Sequence, residues 1–159
     1  MKRKILICGL PGSGKTTLAR ALAPILKAVW FDGDDIRKLT RNLSFDPNTG
    51  RAEQALRMRW LCDTVNAAGY IAIASFICPT PLLRDVFNAD FTIFCDRVIA
   101  CPYPDTNRLW VPPADADYTV PPEMTAYWHA HQISLLLDIM SETVLNEKLA
   151  MEFQANTGC

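Results

Sequence analysis

Residues 9–16 read GLPGSGKT, and this stretch decides the fold. The apolar run 5–8 (ILIC) precedes it, and residues 15–27 follow with Leu18, Leu22 and Leu26 on one helical face. In phosphate-binding loops, the pattern G-x-x-x-x-G-K-[ST] lies between a strand and a helix in this way. The sequence therefore predicts a buried strand, a glycine-rich loop and an amphipathic helix, in that order.

The chemistry of the loop points to a nucleotide and a magnesium ion. Glycines allow backbone N–H groups to converge on phosphate oxygens, and the helix that follows presents its positive end to the same anion. Lys15 is expected to reach the β- and γ-phosphates, and Thr16 to offer its hydroxyl to Mg²⁺. We predict ATP and Mg²⁺; no N-K-x-D guanine motif is present, but GTP as donor stays open. The predicted nucleotide-binding residues of the loop are Gly9, Pro11, Gly12, Ser13, Gly14, Lys15, Thr16 and Thr17.

Beyond the loop, strand-like and helix-like segments alternate. Apolar runs predict strands at 28–31, 70–76 and 91–95, and amphipathic patterns predict helices at 51–68, 81–87 and 125–147. Residues 96–123 hold six prolines and are expected to be irregular, apart from a short fifth strand at 118–120. The residues after the last helix are expected to form a loosely held tail.

This alternation predicts an α/β fold of the P-loop NTPase kinase type. Three layers are expected, with helices on both faces of a five-stranded parallel sheet. Residues 1–159 are expected to form one domain, in which residues from about 96 to 123 are a short proline-rich lid. The apolar side chains of the last helix are Leu135, Leu136, Ile139, Met140 and Val144.

A cluster of carboxylates follows the second predicted strand, in the stretch 31–37 (FDGDDIR). Ligands of such sheets bind beyond the carboxyl ends of the strands, so Asp32 and Asp34 are expected beside the phosphates. We predict Asp34 as the base that accepts a proton from an attacking hydroxyl, with Asp32 assisting it or holding Mg²⁺ through water. Arg37 follows Asp34 on the same helical face and is expected to hold an acceptor phosphate. The alternative is that Asp34 or Asp35 merely caps a helix.

From residue 9 to about residue 85 the chain resembles adenylyl-sulfate kinase. The matching elements are GLPGSGKTT, FDGDDIR, RNLSF and SFICP. The resemblance implies that Asp32 and Asp34 serve the acceptor hydroxyl, that Phe45 stacks on the acceptor base, and that Ser75 and Phe76 bind substrate. The spacing DD-x-x-R also resembles phage polynucleotide kinase, which implies Asp34 as the base and Arg37 on a DNA phosphate.

The predicted lid departs from that resemblance. Residues 97–120 read RVIACPYPDTNRLWVPPADADYTV, without a basic K-G-L-Y-K-K-like run, and only Arg97 and Arg108 remain as lid arginines for ATP. A short proline-rich lid resembles that of small phage kinases, some of which are similar to kinases of 5-hydroxymethyluracil in DNA. The sequence therefore favours 5-hydroxymethyluracil in DNA as acceptor, with adenylyl sulfate as the alternative. A nucleotide-dependent binding module is the alternative from another class.

Charge is distributed unevenly along the chain. Residues 1–60 carry 12 basic and 5 acidic residues (+7), whereas residues 61–159 carry 4 and 12 (−8), giving a net charge of −1. The first part is therefore expected to bind anions. Arg37 and Arg41 are expected to flank a nucleic-acid path at Phe45. For four further arginines, a substrate role and a place on a solvated helix face both stay open: Arg51, Arg57, Arg59 and Arg84.

Composition limits the remaining classes. Half of the residues are hydrophobic and 21% are charged, which is typical of a folded globular domain and argues against a disordered chain. The apolar runs are shorter than a membrane span, so no membrane partner is expected. The cysteines lack C-x-x-C spacing and are expected to be free thiols in a reducing cytoplasm. The sequence leaves the oligomeric state open.

Overall fold

The computed structural model describes residues 3–41, 44–46 and 49–157. Its centre is a five-stranded parallel sheet with the strand order β2-β3-β1-β4-β5. The strands are β1 (Lys4–Cys8), β2 (Val29–Asp32), β3 (Ala72–Ser75), β4 (Phe91–Cys95) and β5 (Tyr118–Val120). The predicted five-stranded parallel sheet is confirmed, including its short fifth strand.

Helices cover both faces of the sheet because alternate residues of β1 face opposite sides. Ile5 and Ile7 belong to a core that includes residues of α1 and α6, and Leu6 and Cys8 to a second core with α3 and α4. The described helices are α1 (Lys15–Leu26), α2 (Gly33–Leu39), α3 (Gly50–Ala67), α4 (Pro81–Phe87), α5 (Pro104–Leu109) and α6 (Ala126–Thr157). The predicted three-layer α/β fold is therefore confirmed.

The proline-rich region contains a helix, so the expectation of an irregular segment there was wrong in part. Pro104 occupies the first turn of α5, where its missing N–H costs nothing. Asn107 binds the chain entering the helix, accepting from Cys101 N at 2.9 Å and donating to Cys101 O at 2.7 Å. A six-residue helix has no hydrophobic periodicity to detect, and these contacts hold it in place.

The expected loose tail is also corrected, since α6 continues to Thr157. Neither glycine nor proline occurs between residues 126 and 157, so no helix stop interrupts the segment. Ile133 and Leu137 of α6 are buried, whereas Leu135, Ile139 and Val144 lie exposed. The helix has 32 residues against 12 in α1, its main packing partner, so only part of its apolar surface contacts the core.

The parallel strands bring the loops after β1, β2 and β3 to one edge of the sheet, where the functional site lies. Within the described parts of the chain, no helix combines the length and the apolar composition of a membrane span.

Candidate functional site

One cleft at the carboxyl ends of β1, β2 and β3 gathers most of the predicted site residues. Its volume is about 380 Å³. The predicted residues that line it are Pro11, Gly12, Gly14, Lys15, Thr16, Thr17, Asp32, Asp34, Arg37, Phe45, Ser75 and Phe76. The glycine-rich loop, the carboxylates and the residues expected to bind the acceptor therefore share one cavity, hereafter called the cleft.

The glycine-rich loop has the shape of a phosphate cradle. Gly14 is left-handed (φ 91°) and begins α1. A Cβ at Gly9 would lie 2.6 Å from Ser13 Oγ and 2.8 Å from Cys95 O, so only glycine allows β4 to approach this closely. The buried hydroxyl of Ser13 has no hydrogen-bond partner, as is common where a ligand completes a site. These features fit a bound nucleotide phosphate.

The side chain of Lys15 lines the cleft. Its ammonium donates to Leu10 O at 2.8 Å, which folds the side chain back over the loop. Burial lowers the pKa of Lys15, and the nearby groups, among them Asp34 and Asp32, act in the opposite direction. A cation that has lost hydration in this way gains most from an anionic ligand, and a nucleotide phosphate is the anion that the loop fits.

Asp32 is fixed by three hydrogen bonds. Its Oδ2 accepts from Thr16 Oγ1 at 3.0 Å and from Ser75 Oγ at 3.1 Å, and its Oδ1 accepts from Asp34 N at 3.0 Å. Trp30 Nε1 donates to Ser75 Oγ at 2.9 Å and so directs the Ser75 hydroxyl proton towards Asp32. The carboxylate of Asp32 is therefore oriented by these hydrogen bonds and lies beside the Thr16 hydroxyl, in a position suited to hold Mg²⁺ through water.

The helix cap is Asp32, so the alternative that Asp34 or Asp35 caps α2 was wrong. Asp35 instead forms a surface ion pair with Lys38 at 3.1 Å. Asp34 lines the cleft as an exposed residue of the first turn of α2. Gly33 makes this turn possible, because a Cβ there would lie 2.6 Å from Phe76 Cβ. The cap and the candidate base are thus different carboxylates.

The cleft also contains the Phe45 ring beside two guanidinium groups, those of Arg37 and Arg51; these three residues are hereafter called the acceptor platform. Arg37 Cζ lies 4.2 Å and Arg51 Cζ 5.7 Å from the centre of the Phe45 ring. Arg37 is buried and donates to Ser44 O. Burial and then the charges of Arg51 and Arg57 lower the pKa of Arg37, so the cluster gains from a bound anion.

The three arginines of α3 have different surroundings. Arg51 is only 4% exposed and lines the cleft, so its place on a solvated helix face is excluded. Arg57 donates to Gln54 Oε1, and Arg59 donates to Asp63 and to Val86 O.

Gln54 is a cleft residue that sequence reasoning missed. It is buried, and its Nε2 donates to Gly33 O at 2.9 Å, which ties α3 to the turn between Asp32 and Asp34. Its position three residues after Arg51 on one helical face was a signal that could have indicated it.

The remaining predicted site residues do not line the cleft. Arg41 lies exposed after α2, and Arg108 lies exposed on α5. Arg84 donates to Cys78 O and lines a second cavity of about 350 Å³. Arg97 donates to Pro122 O and Met124 O at 2.7 and 3.1 Å, and its Nη1 lies 3.6 Å from where a Cβ at Gly14 would be. Arg97 is therefore next to the glycine-rich loop.

A glycine-rich phosphate loop between β1 and α1, on a parallel sheet of order 2-3-1-4-5, defines the class of P-loop kinases. Residues 2–100 match the adenylylsulphate kinase family model, and the chain belongs to that family. Its members are P-loop phosphotransferases with a hydroxyl acceptor, and they use ATP with Mg²⁺.

Two curated relatives illustrate the range of the family. The chain is 42% identical over 87 residues to adenylyl-sulfate kinase 1 of Arabidopsis thaliana, covering 51% of this chain and 31% of that protein. It is 33% identical over 78 residues to cytidine diphosphoramidate kinase of Campylobacter jejuni, covering 46% of this chain and 45% of that protein. The matched regions thus span less than half the length of each relative.

A solved structure agrees with the fold. The Mycobacterium tuberculosis APS kinase CysC in complex with AMPPNP and APS superposes with a TM-score of 0.70 at 22% identity, covering 86% of this chain and 97% of that chain.

Proposed function

We propose that the chain is an ATP-dependent kinase that transfers the γ-phosphate to a hydroxyl of a small nucleotide-type acceptor, with adenylyl sulfate as the best candidate. The observation that carries this proposal is the continuity of the cleft. The phosphate loop, the acceptor platform and Asp34 all line the same cavity. The family match supports the same acceptor class.

In this proposal Asp34 is the general base. It lines the cleft as an exposed residue, while Asp32 is engaged by three donors. A carboxylate with free lone pairs is the group able to accept the proton of an attacking hydroxyl. Asp32 is better suited to hold a metal-bound water beside Thr16.

The loop side supplies charge stabilisation. Lys15 exchanges its contact with Leu10 O for phosphate oxygens, and the backbone N–H groups of the loop hold the same anion. Mg²⁺, when bound, neutralises phosphate charge as the group transfers, and Thr16 and Asp32 are the residues that would hold it. Arg97 lies next to the loop and is proposed to contact the nucleotide.

The acceptor side recognises a base with an attached anionic group. Phe45 offers a stacking surface, and Arg37 and Arg51 offer positive charge around it. Adenylyl sulfate has this combination of groups. The relative named cytidine diphosphoramidate kinase indicates that related chains take other nucleotide-type acceptors as well.

The sequence favoured 5-hydroxymethyluracil in DNA, and none of the relatives named above supports that acceptor. The cleft has the size of a small-molecule site. Two basic side chains of α2 and α3 have acidic partners, Lys38 with Asp35 and Arg59 with Asp63. We therefore rank adenylyl sulfate above DNA.

The single-domain organisation over residues 1–159 and a cytoplasmic location are part of the same proposal. The five cysteines described as free are buried, and burial raises the pKa of Cys8 and of Cys62 to about 12. Buried, protonated thiols fit a reducing compartment.

The deciding experiment measures the transfer of label from γ-labelled ATP with Mg²⁺. Separate reactions contain adenylyl sulfate, DNA with 5-hydroxymethyluracil, unmodified DNA, or no acceptor. Label on adenylyl sulfate alone is the expected result. Label on the modified DNA alone would replace the small-molecule acceptor with a polymer. ATP loss that no acceptor accelerates would favour a nucleotide-dependent binding module instead.

A further inference from the structure

The lid helix α5 places a carboxylate on one of the two arginines at the acceptor platform. Arg51 Nη2 donates to Asp105 Oδ2 at 2.9 Å and to Thr106 Oγ1 at 3.0 Å. Asp105 is 54 residues away in sequence. It also lies outside residues 2–100, which the family model matches. The contact is therefore a feature of this chain rather than one carried by the family match.

The two platform arginines consequently differ in charge balance. Arg37 donates to a neutral backbone oxygen, Ser44 O, and not to a carboxylate. Arg51 is 4% exposed, and its charge is opposed at contact distance by a carboxylate. A carboxylate at this distance lowers the positive potential that a ligand would meet at Arg51.

The carboxylate is anchored. Thr106, next to Asp105, is buried, and Asn107 closes the turn before the helix. After the helix, Val111 N donates to Pro79 O at 2.9 Å, and Pro79 lines the cleft. α5 is therefore attached to cleft residues at two points, through Thr106 to Arg51 and through Val111 to Pro79, and these contacts position Asp105.

We infer that Asp105 is a specificity-determining residue of the acceptor site. Its carboxylate offsets the positive charge of Arg51 and so discriminates against acceptors with additional negative charge. This inference rests on the proposed function, since it requires that Phe45, Arg37 and Arg51 bind the acceptor. Removal of the Asp105 charge is then expected to strengthen the binding of anionic acceptors and to leave uncharged ones unaffected.

The test is a titration of the full chain, with Mg²⁺ and AMPPNP saturating the donor site. The probes are adenosine and adenosine 5′-monophosphate, which differ only in the phosphate. Asp105→Asn is expected to tighten binding of the monophosphate about tenfold, since a charge-assisted contact of Arg51 becomes available, and to leave adenosine unchanged. Asp115→Asn is the matched control, because Asp115 is likewise an exposed lid carboxylate, whereas the ion pair of Arg51 is with Asp105.

A double-mutant comparison isolates the contact. In an Arg51→Gln background, Asp105→Asn is expected to have no effect on the ratio of the two dissociation constants. Asp105→Ser is a second variant that keeps a hydrogen-bond acceptor in a smaller side chain, and the ratio is expected to shift in the same direction.

The inference is overturned if folded Asp105 variants leave the ratio unchanged, weaken monophosphate binding, or act equally without Arg51. Failure of both the wild type and the Asp105 variants to bind the monophosphate overturns it as well. Phosphate transfer is measured separately. Transfer to adenylyl sulfate together with an unchanged ratio of dissociation constants would contradict only the role of Asp105. A shifted ratio without transfer to any acceptor would contradict only the proposed reaction.

Discussion

The part of the chain up to residue 100 and the part after it obtain their functional groups in different ways. In the first part, site residues lie at or just after a strand end: Lys15 follows β1, Asp34 follows β2, and Ser75 ends β3. In the second part, α5 has six residues, and its Asp105 acts on Arg51, which belongs to α3. Groups close to strand ends are carried by short motifs, whereas groups supplied by the lid depend on distant contacts.

The groups at the strand ends are those proposed to carry out phosphate transfer, whereas the lid helix α5 supplies a group proposed to select the acceptor. The phosphate loop and the carboxylates lie within the region that matches the family, whereas the part of the lid that contains α5 lies beyond it. Substitutions at the phosphate loop and the carboxylates are therefore expected to change transfer itself. Substitutions after residue 100 are expected to change stability or the choice of acceptor.

The largest effect is expected at Asp34. Asp34→Asn removes the proposed base and should lower kcat about 10³-fold while ATP binding persists. The matched control is Asp35→Asn, since Asp35 is paired with Lys38 at the surface and does not line the cleft. Steady-state kinetics and ATP titration check both. Loss of ATP binding in the Asp34 variant would indicate a structural or metal-binding role.

The second part of the chain offers two isoleucines on one helix. Ile133→Ala should destabilise the protein by about 2–5 kcal/mol, because Ile133 is fully buried in the core beside α1. Ile139→Ala is the control; Ile139 is 61% exposed, and the change should cost less than about 0.5 kcal/mol. Chemical denaturation measures both. Equal losses would mean that the exposed face of α6 is covered in solution.

The acceptor platform connects the two parts. Phe45→Ala should raise the KM for the acceptor roughly 10- to 100-fold and leave the KM for ATP unchanged, since loss of a stacking surface costs about 1–3 kcal/mol. Tyr70→Ala, at an exposed aromatic outside the cleft, serves as control. Equal rises in both KM values would contradict an acceptor role for Phe45.

The smallest effect is expected at Trp30. Trp30→Phe removes the indole donor to Ser75 and keeps an aromatic side chain, so Asp32 loses only the directed hydroxyl. A neutral hydrogen bond is worth about 1 kcal/mol. The Mg²⁺ concentration that gives half-maximal kcat/KM should therefore rise about fivefold. Trp60→Phe, at an exposed tryptophan, is the control. An unchanged Mg²⁺ dependence would remove Trp30 from the metal side of the site.

Much of the first part could be predicted because its signals are local. The loop pattern located Lys15 and Thr16, and the carboxylate run after β2 located Asp32 and Asp34. Which carboxylate caps α2 was not predictable, because Thr16 and Ser75 orient Asp32 from two other elements. Catalytic and binding roles for these residues stay predictions until the variants are measured.

By itself, the sequence determined the alternation of strands and helices, the phosphate loop and the carboxylates at the strand ends, since hydrophobic periodicity and glycine-rich turns act over a few residues. Only the tertiary structure decided that Arg51 is buried in the cleft, that α5 exists, and that Asp105 opposes the charge of Arg51. The physical reason is the range of the interaction. An ion pair between residues 54 apart depends on the packed position of two elements, and no local pattern encodes it.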